Sequence, residues 1–177
     1  IVMVVRFVRV KHRMNAKLQY KNELLQRQRD ELEAESDKLI EAQMTAAEKH
    51  EIEVEMEQSE QRIERGEGFL PQDQRVIDKF NAILQQHMDN SELTVDMLGA
   101  EMNLGRVQLY RRVKALTGHS PNELLRIARL TRGKELLQDG LHNISEAAYA
   151  VGFSSPSYFA KCYKDHFGQP PTATLHS

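Results

Sequence analysis

Tryptophan is absent, cysteine occurs once, and aromatic residues make up only 6% of the 177 residues. The single Cys162 excludes an intrachain disulfide framework and a zinc site built on thiolates, and it reads as a small apolar packing residue. Glycine and proline are scarce, nine and five in all, and neither occurs from Met14 to Arg65. There is no phosphate-cradling glycine loop and no nucleophile elbow. His12, His50, His87, His119, His142, His166 and His176 are scattered, none at ligand spacing from Cys162 or a carboxylate. Paired glutamates read as a solvated helical face. No catalytic residue, metal or cofactor is therefore expected, and the chain does not read as an enzyme. What is abundant is Leu, Glu, Gln, Lys, Arg, Ala and Met, the residues that cost least in a helix. The fold class read from them is all-α.

The net charge of −2 hides a strong segregation. Residues 1–14 carry four basic groups and no acidic ones, residues 15–65 eight and fourteen, residues 66–102 two and seven. Residues 103–137 then hold eight basic groups against two acidic ones, and 138–177 are nearly balanced. Local charge, not the total, sets attraction to phosphate, so the strip 103–137 points to nucleic acid.

The opening IVMVVRFVRV carries two arginines and is too short to span ~30 Å of hydrocarbon, which takes about 20 apolar residues. Residues 1–13 read as the cytoplasmic end of a membrane helix with Arg6, Arg9, Lys11 and Arg13 as its basic flank, or else as a plain terminus. The expected location is the cytoplasm, with tethering to the inner face of the membrane on the first reading. Residues 14–65 are read as one charged helix. Leu18, Leu25, Leu32 and Leu39 recur every seven residues, but the partner positions Asn15, Asn22, Arg29 and Ser36 are polar. A homodimer through this coiled-coil-like segment and a solvated linker helix both fit. Gly66-Glu67-Gly68 breaks the helix and precedes a domain at 69–177.

That domain contains an internal repeat. LGAEMNLGRVQLYRRVKALTGHSP from Leu98 parallels AAYAVGFSSPSYFAKCYKDHFGQPP from Ala147, the offset growing from 49 to 50 through one extra residue in the second turn. Each copy begins at a polar cap, Thr94 or Asn143, the latter with Glu146 three residues on. Small or apolar residues follow (Leu98 and Gly99; Ala147 and Ala148), then Asn103 or Gly152, types that tolerate a left-handed turn. A second helix carries the core stripe Leu109, Val113 and Leu116, or Phe159, Tyr163 and Phe167, and stops at Gly118 or Gly168. This is a helix-turn-helix, twice. Between them, SPNELLRIARLTRGKELLQDG reads as one helix of about 27 Å, opened by a Ser120–Glu123 capping box and packing Leu124, Ile127, Leu130, Lys134 and Leu137. Such a rod suits successive major grooves about 34 Å apart.

With these motifs, residues 69–171 resemble the AraC/XylS family of bacterial regulators, most specifically in LYRRVKALTGHSPNELL and ISEAAYAVGFSSPSYFAKCYKDHFG. The resemblance implies a seven-helix DNA-binding domain whose third and sixth helices enter adjacent major grooves, and contact with RNA polymerase if the protein activates. The charged helix before it also resembles the membrane-anchored one-chain sensors of Bacteroidetes-type bacteria, which implies an upstream sensor domain. Positions matching the family's base-reading sites are Val107, Tyr110, Arg111, Ser157 and Lys161. Helical spacing leaves Arg106, Val107, Gln108, Arg111, Arg112 and Lys114 facing outward. Arg111 suits a bidentate contact to guanine, while Arg112 and Lys114 suit phosphate. Ser155 is expected to cap the second recognition helix and Tyr158 to reach phosphate or pack. Arg126, Arg129 and Arg132 add charge on the rod. Two departures stand out: Gly105 where the family has Ser, and a C-terminus, PPTATLHS, without the closing aromatic and basic residues, predicting a short last helix. The competing reading is a coiled-coil scaffold whose helical domain binds protein instead of DNA.

Overall fold

The computed structural model describes residues 2–175, with side chains from Lys11 onward. Arg6 and Arg9 of the proposed basic flank and His176 therefore lie outside the described side chains, whereas Lys11 and Arg13 are exposed. The described residues form nine helices: α1 (Val2–Gln43), α2 (Ala46–Glu64), α3 (Pro71–Gln86), α4 (Val95–Met102), α5 (Arg106–Thr117), α6 (Pro121–Gln138), α7 (Ile144–Ala150), α8 (Pro156–Phe167) and α9 (Pro171–Thr174). The last seven are the number expected for the domain. Among the described residues no helix is long and apolar enough to cross a membrane.

The expected single helix over 14–65 is broken at Met44–Thr45. Thr45 takes an extended conformation and forms a reciprocal cap with Glu48: its hydroxyl accepts from the Glu48 amide at 3.3 Å, and its own amide donates to Glu48 Oε2 at 2.7 Å. A side chain that satisfies the first amides of a new helix competes with continuing the old one.

Contacts sort the chain into two compact units, one combining residues up to Asp30 with those from Leu130, the other Glu31–Arg129. In the second, Phe80, Ile83, Leu84, Leu93, Val95, Leu98, Met102, Leu109, Val113 and Leu125 make the core under α3, α4 and α5. The α4–α5 turn is left-handed at Asn103 (φ 57°, ψ 37°), and the Thr94 cap forms as expected. In the other unit the core is aromatic: Phe153, Phe159 and Tyr163 pack with ring centroids 5.2 and 5.5 Å apart, and the small Ala147 and Ala148 are buried as well. Asn143 caps α7 by accepting from the Ser145 and Glu146 amides, and Glu146 returns a bond to the Asn143 amide.

On α6 the Ser120–Glu123 capping box is present at 2.9 and 3.3 Å. Its buried leucines are Leu125, Leu130, Leu136 and Leu137, with Leu124 and Ile127 only half-buried, so the core stripe is turned slightly from the expected one. Lys134 does not enter the core; its ammonium sits 4.9 Å from the centre of the Phe167 ring, a cation–π contact. The last helix is four residues long, as its composition implied, and is pinned by a 2.7 Å bond between Tyr163 and Thr174.

Candidate nucleic-acid interface

In the unit Glu31–Arg129, α5 is the recognition helix of the first helix-turn-helix. Leu109 and Val113 are wholly buried, which turns the intervening positions outward. Gly105 has no side chain to cap with, and Gln108 supplies half of the box, its Oε1 accepting from the Gly105 amide at 3.2 Å. Val107 is about half exposed and Lys114 half-buried.

The three arginines of this helix meet carboxylates. Arg106 is bridged between Glu33 of α1 and Asp96 of α4. Arg111 pairs with Glu48 of α2 at 2.7 Å. Arg112 lies 3.7 Å from Asp73 of α3. Tyr110, which the family resemblance matched to a base-reading position, is instead buried, 3% exposed. Burial, and then the carboxylates of Glu41, Asp37 and Glu123, push its hydroxyl pKa up to about 12. The Thr45 amide and hydroxyl, followed by Arg111, hold the Glu48 carboxyl below its usual range. Asp37 is buried with Oδ1 unpartnered, and desolvation raises its pKa despite a bond from Ser120 and the nearby Arg106.

In the other unit, Ser155 caps α8, its Oγ accepting from the Tyr158 amide at 3.3 Å and donating to Glu23 Oε2 at 3.1 Å. Tyr158 is 8% exposed and donates to Asp30 at 2.6 Å, with the Arg27 guanidinium 5.6 Å from its ring centre. Burial and this carboxylate raise its hydroxyl pKa far above 10. Gln26, 3% exposed, accepts from the Ser154 amide at 2.8 Å and its hydroxyl at 2.7 Å. Ser157 and Lys161 are exposed. On α6, Arg129 is a structural group that donates to the Asn90 carbonyl at 2.6 Å, and Arg132 pairs with Glu135. Arg126 is exposed.

The sequence reading missed the α1 and α2 residues that meet these helices. Their signal was present: Glu23, Gln26, Asp30, Glu33 and Asp37 recur at alternating steps of three and four, one face of a helix.

Residues 98–177 match a family model described as a helix-turn-helix domain. A protein named histidine kinase P4 from Formosa agariphila is 35% identical over 100 residues, 56% of this chain and 7% of that protein. This chain spans at most 30% of the curated regulators that match next. A crystal structure of a transcriptional regulator with an AraC-type DNA-binding domain from Chromobacterium violaceum is 26% identical with a TM-score of 0.54, over 58% of this chain and 91% of that one. The DNA-binding domain of AdpA in complex with a target DNA is 25% identical with a TM-score of 0.52, over 56% and 88%. Two helix-turn-helix units with the caps, turns and intervening helix described above, and these likenesses, show the C-terminal part of the chain to be a helix-turn-helix domain similar to AraC-type DNA-binding domains.

Proposed function

We propose that this protein is a sequence-specific transcription regulator that reads two successive major grooves with α5 and α8. The observation that carries this reading is the makeup of α5: Arg106, Arg111 and Arg112 project from a helix whose opposite side is fully buried. A protein-binding face has no need of so many cations in one strip. The likeness to a domain solved on its target DNA supports the same conclusion. Arg111 is assigned to base edges together with Val107, and Arg112 and Lys114 to phosphate. On α8, Ser157 and Lys161 face the bases, and Ser155 and Tyr158 the backbone. Kinase chemistry belongs to the far longer relative, of which this chain spans 7%.

The leucine stripe adds a second element to the proposal. Leu18, Leu25, Leu32 and Leu39 are 52–65% exposed, an apolar seam at heptad spacing whose fitting partner is the same seam of a second copy. On this reading α1 is a dimer handle in a cytoplasmic protein; the resemblance to membrane-anchored one-chain sensors adds tethering to the inner face of the membrane and an upstream sensor, and contact with RNA polymerase belongs to the case in which the protein activates.

Gel-shift titration tests the reading. Binding should weaken with salt by ~0.9 log units per phosphate contact per log unit of salt. Arg111→Ala should cost ~1–3 kcal/mol on a selected site and little on random sequence. Equal losses on both would remove its base-reading role, and salt-independent binding would favour the scaffold reading.

A further inference from the structure

The face of α1 that packs inward is largely polar, with Ile40 its one buried apolar residue among the described side chains. A helix that merely rests on a domain turns its leucines inward; here Leu25, Leu32 and Leu39 are exposed while Gln26 and Asp37 are buried. Beside them, other polar groups of α1 and α2 meet the recognition helices. In one unit, Glu23 and Asp30 hold Ser155 and Tyr158, and the Gln26 carbonyl takes the Ser154 amide beside the start of α8. In the other, Glu33 and Glu48 neutralise Arg106 and Arg111. Apart from the Ser154 amide, each donor so held is one that the functional reading gives to DNA.

We propose that α1 and α2 are an acidic mask that occupies the DNA-reading faces of this same chain, so that duplex and connector compete for one set of donors. The inference rests on the DNA-binding reading and adds its regulation. Charge complementarity is built in, since residues 15–65 carry fourteen acidic groups and the strip 103–137 eight basic ones. The mask is also made to come off. α2 has no buried residue, and an open cavity of about 550 Å³ lies among Ile52 of α2, Arg75, Val76 and Lys79 of α3, and Arg111 and Arg112 of α5. Ile52, Val54 and Met56 of α2 are only half-buried and its contact with α5 includes the Glu48–Arg111 ion pair, the kind of two-state element that a signal arriving along α1 or a polyanion can bias. Ser157 and Lys161 stay uncovered, leaving the second recognition helix a point of first encounter with DNA.

The test compares three forms of the full chain by fluorescence anisotropy on one labelled random-sequence duplex at low salt. The forms are the native chain, the unmasked D30N/E33Q/E48Q, and a control, E31Q/E35Q/E53Q, that removes the same charge from exposed positions of α1 and α2. Circular dichroism establishes that each is folded, and the amide and shape-matched side chains keep the helices intact. The unmasked form should bind about tenfold more tightly than the native chain, within the range of ordinary coupling energies, and the control should gain much less. Equal gain in both variants means that total charge, not the mask, limits binding, and overturns the proposal while leaving the DNA reading in place. Unchanged affinity in the unmasked form does the same. If no form binds duplex with a salt-dependent affinity, the DNA-binding reading fails and the mask with it. Hydrogen exchange supplies a second readout: amides of residues 22–48 should lose protection when duplex is added, and unchanged protection in the bound state would overturn the mask.

Discussion

Two glycines are held by lack of space. A Cβ at Gly99 would stand 2.8 Å from the Leu104 carbonyl oxygen, and one at Gly133 would stand 2.8 and 2.9 Å from the edge of the Phe159 ring. Neither neighbour yields cheaply: Leu104 O is backbone of the α4–α5 turn, and Phe159 is fully buried against Phe153 and Tyr163. Gly99→Ala and Gly133→Ala should each lose ~1–3 kcal/mol in urea unfolding. A loss under a few tenths would mean that the turn or the ring moves freely. Asp37 gives a pH signature. Burial raises its pKa above 3.8, so between the unfolded and folded values the native chain holds a proton that the unfolded chain has lost. Stability from this group therefore falls as pH rises through the folded value, and recovers as pH falls back towards 3.8. Asp37→Asn should be at least as stable as the native chain at pH 7, and this advantage should shrink in mild acid. A larger advantage at low pH would reverse the assignment.

Helix by helix, what could be read from sequence was whatever local chemistry dictates. Thr94, Ser120, Asn143 and Ser155 all cap the helices they precede, because a short side chain that accepts from the first amides needs no tertiary support. Asn143→Ala should accordingly cost about 1 kcal/mol in thermal or urea unfolding, since it removes two bonds from the seven-residue α7 and half of its capping box. The two recognition helices and their core stripes were legible for a similar reason, hydrophobic spacing being a strong signal. What escaped was polar packing. The alternating Glu23, Gln26, Asp30, Glu33 and Asp37 carry no hydrophobic signal, so the leucine stripe one position away drew the attention that the buried face merited. Tyr110 escaped because its partners Glu41 and Asp37 lie some seventy residues earlier in the chain. The break at Thr45 was readable in principle, a Thr followed three residues on by Glu, but glycine- and proline-free flanks concealed it.

For the molecule as a whole, the proposed dimer seam and the proposed mask lie on separate faces of α1. The carboxylate stripe and the leucine stripe are set apart around the helix by the spacing of their residues, so a second copy meeting Leu18, Leu25, Leu32 and Leu39 need not displace Glu33 or Asp30 from their partners. The partner positions of the heptad, Asn22, Arg29 and Ser36 among them, are polar, which weakens such a seam and makes association sensitive to concentration. Sedimentation equilibrium of the full chain should therefore show a reversible monomer–dimer exchange in the micromolar range, an order-of-magnitude expectation for a seam with leucine at only one of its two positions. Leu25→Glu combined with Leu32→Glu places like charges across the seam and should leave only monomer, with the helix content of the domain unchanged. Because leucines 25 and 32 are already exposed, this variant removes no core contact within the chain, so a loss of fold would show that the stripe packs internally. Dimers of undiminished strength would show that some other surface joins the copies, and a native chain that is monomeric at every concentration would reduce α1 to a carrier of carboxylates.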